Sequence, residues 1–227
     1  MAKAMRIDTE MIAYRNGGIK PGTCYKHEGL EVKAGNNKVK FDTLIINMGS
    51  SKTCPSKALG LCLVADECYA ADPEKMYPAC LPYRTRQQKY WLAATAQEIW
   101  ESLDYLLSTK KRAGYALHMT IDYFRFNEAG DFWSQKCVTK LAYVAEKLQE
   151  KYNITTYGFT ARSDLNFDTE AFKVKGSGHS AGNNGECRVL DKGETPLDGW
   201  WVCQSECGNP CTVCFKDSPV NVFFPIH

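Results

Sequence analysis

No stretch of this chain reaches the roughly 20 consecutive apolar residues that a membrane-spanning helix needs. The first twenty residues, Met1 to Lys20, are polar and lack the apolar run of about 7–15 residues that marks a secretion signal. A soluble, cytoplasmic protein with no membrane partner is therefore expected. Charge of one sign is missing too, since 28 basic and 26 acidic side chains leave a formal charge of only +2. That balance excludes the strongly basic footprint of a dedicated nucleic-acid binder. The local run Lys110, Lys111, Arg112 suits the end of a helix, where cations complement the dipole. Internal repeats and low-complexity linkers are also absent. The expectation is a single α/β domain over 1–227, with an irregular segment 1–42, a core 43–198 and a cysteine-rich tail 199–227 packed on that core.

What the chain does have is eleven cysteines. A chain of 227 residues can bury a core without covalent staples. In a reducing compartment many cysteines argue for metal ligation or catalysis rather than disulfides, and an odd count weakens a disulfide framework further. Composition alone points to ligands.

Periodicity gives the fold class. Thr43-Leu44-Ile45-Ile46-Asn47 is a short β-branched run ended by Gly49-Ser50-Ser51, which reads as a buried strand. The apolar steps Leu92, Ala96, Ile99, Leu103 and Leu106 predict one helix from Pro82 to about Arg112. Ile121 to Phe126 reads as a strand. Ser134 is placed to cap a helix over Gln135 to Tyr152, with Cys137, Leu141, Val144 and Leu148 inward. Thr155 to Thr160 and Phe172 to Lys175 read as two more strands, and the first 40 residues as loop with one short hairpin. Strands and helices alternating at this spacing predict an α/β fold built on a mostly parallel sheet, open or a partial barrel, with βαβ crossovers.

The cysteines fall into two groups. Cys54-Pro55, Cys62, Cys68 and Cys80 occupy a loop after the first core strand. Cys203, Cys207, Cys211 and Cys214 occur within 12 residues near the C-terminus, with Cys187 upstream. Structural zinc prefers two paired knuckles. Cys211-Thr212-Val213-Cys214 is one such pair, but a second is missing. Iron–sulfur cubanes accept steps of two and three residues, as in Cys207, Cys211 and Cys214. The expected cofactor is thus one or two iron–sulfur clusters, of 4Fe-4S type, with Cys54, Cys62, Cys68, Cys203, Cys207, Cys211 and Cys214 as ligands. Zinc is the alternative, and the three-plus-two step also admits S-adenosylmethionine as a further cofactor.

If the strands are parallel, the loops that follow them share one edge, where such sheets bind ligands. Those loops carry Asn127, Glu128 and Asp131, then Arg162 and Ser163, then Ser177 and His179. Glu128 and Asp131 are candidate proton acceptors and Arg162 a candidate anion clamp, all three read as catalytic. Asn127, Ser163, Ser177 and His179 are candidate contacts to a small-molecule or nucleotide ligand.

Taken together, these stretches resemble the phage-associated gene-product-88 family. The residues that carry the resemblance are Cys54-Pro55, Cys68-Tyr69-Ala70, Phe124-Arg125-Phe126 leading into Ala129-Gly130-Asp131-Phe132, Tyr157 to Ser163, and Cys207 to Cys214. They span about 43–215. Ala129 stands where the family has Ser in Ser-Gly-Asp-Phe, and Arg162 where its pattern runs Thr-Lys-Ser. The resemblance implies a mobile-element protein of the host cytoplasm with a cysteine-bound centre, and it names no reaction. The leading expectation is a redox or S-adenosylmethionine-type iron–sulfur protein. The alternative is a zinc-stabilised, non-catalytic module binding nucleic acid or protein, presenting Tyr83, Arg84, Arg86, Lys89, Tyr90 and Trp91.

Overall fold

A computed structural model describes residues 22–36, 39, 42–180, 184–191, 193–203, 213–215 and 220–225. In chain order the elements begin with a hairpin of β1 (Thr23–His27) and β2 (Leu30–Ala34), then β3 (Thr43–Ile46). Helices α1 (Pro55–Ala58), α2 (Ala71–Met76), α3 (Cys80–Ala93) and α4 (Ala96–Thr109) follow. A small hairpin, β4 (Lys111–Arg112) and β5 (Tyr115–Ala116), leads through a 3-10 turn at Leu117–Thr120 into β6 (Tyr123–Phe126). Next come α5 (Gln135–Tyr152), β7 (Thr155–Thr160), β8 (Lys173–Ser177), β9 (Glu186–Leu190), β10 (Trp201–Val202), a 3-10 turn at Val213–Phe215 and β11 (Val222–Pro225).

Nine strands form one mixed sheet in the order β1-β2-β3-β6-β7-β8-β9-β11-β10. The hairpin joins antiparallel at one edge, and every pairing from β3 onward is parallel. The α/β, mostly parallel fold class expected from the pattern is the one observed. From β3 to β9 each parallel strand is added on the same side of its predecessor. Right-handed crossovers then carry all their helices to one face, and the strand order never reverses to give a switch point between halves.

The two faces differ accordingly. Val32, Leu44, Ile46, Phe124, Phe126 and Val174 pack with Trp91 of α3, Leu103 and Leu106 of α4, and Leu141, Val144 and Leu148 of α5 in one large core. The opposite face carries the alternate positions. Ile45, Arg125 and Tyr157 lie side by side in register, as do Phe159 and Lys175. Its apolar part is a smaller cluster of Cys187, Val213 and Val222 with Phe159, Cys203, Val220 and Phe224. A charged residue at its centre is unusual, because central parallel strands are normally apolar on both sides.

The long helix expected from Pro82 to Arg112 is two helices. Thr95 is extended and caps α4, accepting from Glu98 N while the Glu98 side chain accepts from Thr95 N, a capping box. This local cap outweighs an apolar stripe that continues across the break. Lys140 of α5 then donates to the carbonyls of Trp91, Leu92 and Ala94 where α3 ends. The helix Gln135–Tyr152 behind Ser134 is as expected, although the Ser134 side chain makes no capping bond.

One close approach sets the relation between the first two crossover loops. Gly130 has φ +75°, and a Cβ there would lie 2.5 Å from the backbone nitrogen of Gly49. Two backbones touch at that point, so only glycine fits. Gly130→Ala should destabilise the protein by about 3 kcal/mol or more in urea unfolding, combining left-handed strain with overpacking; an unchanged midpoint would contradict this packing.

Candidate functional site

The loop between β3 and α3 is strapped to the sheet edge at several points. Asn47, fully buried, accepts from Ala129 N at 2.7 Å, and Trp133 Nε1 donates to the Met48 carbonyl at 3.1 Å. Glu74 of α2 accepts from Ser51 N (2.9 Å), Ser51 Oγ (2.7 Å) and Arg84 Nη1 (2.7 Å). The same Arg84 nitrogen also holds the Ala70 carbonyl at 2.6 Å. Burial raises the Glu74 carboxyl, but Ser51 and Arg84 more than offset this and leave it below the ordinary value. The Tyr69 ring is exposed, while its hydroxyl reaches back to the Glu128 carbonyl at 2.6 Å.

Asp131 fastens the Cys54-Pro55-Ser56 turn. Its Oδ2 accepts from Ser56 Oγ (2.6 Å) and Ala161 N (2.8 Å). Its Oδ1 accepts from Thr160 Oγ1 (2.7 Å), Phe132 N (2.8 Å) and Asn127 Nδ2 (3.2 Å). Burial pushes this carboxyl above the ordinary value, and the Ser56, Ala161, Thr160 and Phe132 donors act against that rise. Both oxygens are engaged, so the carboxylate ties α1, the loop after β6 and the end of β7 together.

Within this frame lie Cys54, Cys62 and Cys68, all three half-buried. Cys62 lies near enough to Cys54 to raise the Cys54 thiol pKa slightly, and Cys68 near enough to Cys62 to raise that of Cys62. Asp131 acts on both Cys54 and Cys62. The Cys54 sulfur accepts from the backbone amides of Lys57 and Ser56 at the start of α1, and that of Cys62 from Val64. Burial nevertheless pushes the Cys54 thiol up to about 11 and raises that of Cys62. A thiol in that range is a poor nucleophile near neutrality, whereas a metal would displace the proton. Among the described residues, no three Cys, His, Asp or Glu side chains converge as ligands of a single ion.

The tail is only partly in view. Cys207 and Cys211 lie outside the described residues. Cys203 packs in the smaller cluster that also holds the buried Cys187, whose thiol burial lifts to about 11. Cys214 lies near enough to Arg125 and Lys175 to act on both. Tail and cysteine loop therefore approach the same face of the sheet from two sides, since Tyr69, beside Cys68, also acts on Arg125. The cysteine loop meets the β8 end as well, because a Cβ on Gly178 would lie 2.3 Å from Leu63 Cδ1.

The remaining predicted residues divide by their partners. Glu128 is buried and holds Lys33 Nζ at 2.7 and 3.0 Å and Asn36 Nδ2 at 2.6 Å. Burial raises its carboxyl, and Lys33 and Asn36 outweigh that to leave it below the ordinary value. Arg162 donates to the Phe132 carbonyl and makes a two-pronged bond to Asp164 at 2.7 and 2.8 Å. Ser163 is exposed, and Ser177 Oγ lies 3.6 Å from Cys187 Sγ. Asn127 adopts φ +54°. Its Oδ1, His179 Nε2 and Asn47 Nδ2 are buried polar atoms without a partner among the described residues. Buried orphans are few in folded proteins and each needs an explanation; Asn47, Asn127 and His179 follow β3, β6 and β8, whose ends share one edge of the sheet.

Of the residues expected to face a nucleic-acid partner, Arg86 and Lys89 are exposed and Tyr83 and Tyr90 half-buried. Arg84 and Trp91 are buried, and Arg86 is bonded to Glu31 at 2.6 and 3.1 Å. Lys33, Ser56, Tyr69 and Thr160 were missed because their roles depend on partners far away in sequence. Arg125 was detectable, as a charge in the middle of a buried-looking strand.

Two measurements test this frame. In Asp131→Asn, whichever oxygen becomes an amide faces a backbone N–H donor, so the variant should lose about 2–4 kcal/mol in urea unfolding. Because Glu74 and Glu128 are held below the ordinary carboxylate value, their contribution is complete above about pH 5 and declines as pH falls toward about 3. Glu74→Gln should therefore be less stable at neutral pH and lose less on acidification; an unaltered acid slope would contradict the ion pair.

Residues 24–172, more than half of the chain, match the family described as Gene product 88. No curated protein and no solved structure matches the chain. The matched segment runs from β1 to the residue before β8, so it contains the cysteine loop, Asp131 and its donors, Arg125, and the Glu74–Arg84 strap. On that match, the chain is a member of the Gene product 88 family.

Proposed function

We propose that this is an iron–sulfur protein of phage or mobile-element type. Cys54, Cys62 and Cys68 hold the cluster, beside a small-molecule pocket at the C-terminal edge of the parallel sheet. The observation that carries the reading is the placement of these three cysteines on one strapped loop directly after the first parallel strand, with Cys62 acting on Cys54 and Cys68 on Cys62. Backbone amides donate to two of the sulfurs, as suits thiolates that carry charge to iron.

A cubane bound by three thiolates would supply an iron with an open position, for electron transfer or for coordinating an amino-acid-like ligand such as S-adenosylmethionine. The chain's own residues do the positioning. Asp131 fixes the turn bearing Cys54 through Ser56, and Tyr69 fixes the end bearing Cys68. Asn127 and His179 offer one acceptor and one ring nitrogen to a ligand at the same edge. Glu128 and Arg162 hold neighbouring loops through Lys33 and Asp164. The reaction class is redox or S-adenosylmethionine-dependent chemistry.

Protein prepared without oxygen should be brown and carry several irons and sulfides per chain. Cys54→Ser, Cys62→Ser and Cys68→Ser should each lose most of that iron. Cys137→Ser, on the core face of α5, should keep it. Zinc in place of iron, or iron content indifferent to all three substitutions, contradicts the proposal and returns the zinc-stabilised module.

A further inference from the structure

Arg125 is a charged residue at the centre of the parallel strands. It sits in mid-strand on β6, on the sheet face away from the helices, beside Tyr157 of β7. Its guanidinium lies 5.4 Å from the ring centroid of Phe159. Its Nε is buried and, among the described residues, makes no hydrogen bond. Other cations nearby are satisfied. Lys33 holds Glu128, and Lys175, fully buried, donates to the carbonyls of Asn184 and Val220. Glu128, the carboxylate nearest in charge to Arg125, is already bonded to Lys33 and Asn36. Among the described residues, the buried Nε of this guanidinium is left without an acceptor. A buried donor without an acceptor costs free energy, which an acceptor bound there would offset.

We propose that Arg125 is an anion-binding residue that receives an oxyanion, carboxylate or phosphoryl, of a small-molecule ligand lying on the interior face of the sheet. The guanidinium fork matches two oxygens of such a group at once. Phe159 supports the cation from one side, and Tyr157 and the Tyr69 hydroxyl border it. Tyr69 belongs to the Cys68-Tyr69-Ala70 turn, so the same ligand would reach toward the cysteines. The inference rests on the reading of this edge as a ligand pocket, and it does not need the metal.

The test compares wild-type full-length chain with Arg125→Gln and Arg125→Lys by thermal unfolding in phosphate and in acetate, each against chloride at constant ionic strength. Wild type should rise in Tm with the oxyanion, Arg125→Gln should lose the shift, and Arg125→Lys should keep part of it. A response to phosphate alone assigns a phosphoryl group, and a response to acetate alone a carboxylate. Without added anion, Arg125→Gln should be at least as stable as wild type, because a buried donor without an acceptor is removed. No shift in wild type, a full shift in Arg125→Gln, or a marked loss of stability in ligand-free Arg125→Gln would overturn the inference. Iron content measured on the same samples separates the two readings: iron absent throughout defeats the cluster alone, while the Tm comparison still decides the anion site.

Discussion

The carboxylate of Asp131 sits where three segments distant in sequence have to meet. Its five donors come from Ser56 on α1, Asn127 and Phe132 around the loop after β6, and Thr160 and Ala161 at the end of β7. A buried carboxylate is tolerated only where its oxygens are filled, so each donor is obliged to be present for the others to hold. That requirement fixes the Cys54-Pro55-Ser56 turn above the sheet edge. The Gly49–Gly130 contact brings the two loops close enough for it to act.

From that point the site follows by geometry. Glu74, Arg84 and Tyr69 secure the far end of the cysteine loop, so its three thiols are held by a rigid frame instead of by a free loop. Preorganisation of this kind is what a metal centre or a ligand clamp needs from its supporting residues. The sheet face away from the helices supplies what the loop does not, a cation whose buried Nε has no acceptor among the described residues, with the Phe159 ring beside it. The cysteine loop and Arg125 stand near one edge of the sheet, where successive parallel strands end.

Much of this was legible in the sequence, for reasons that differ by residue. The strands at Thr43, Ile121 and Thr155 and the helix at Gln135 announce themselves by period, because one face must be buried. The break at Thr95 was hidden, since its capping box interrupts an apolar stripe that reads as continuous. Cys54, Cys62 and Cys68 were chosen as ligands from their shared loop, and the fold keeps that loop after the first parallel strand. Asp131 was chosen for acid–base chemistry. Its five donors could not be foreseen, as they come from positions up to 75 residues away. Lys33 with Glu128 is the same lesson at 95 residues. Long-range polar networks leave no periodic trace, whereas a lone arginine inside an apolar strand does.

The central claim is that the strapped cysteine loop holds an iron–sulfur cluster with an iron open to ligands. Electron paramagnetic resonance of the reduced, anaerobically prepared full-length protein tests it most directly. The account predicts a cluster signal that changes when S-adenosylmethionine or another amino-acid-like chelating ligand is added. The absence of any cluster signal from iron-supplemented protein would contradict it.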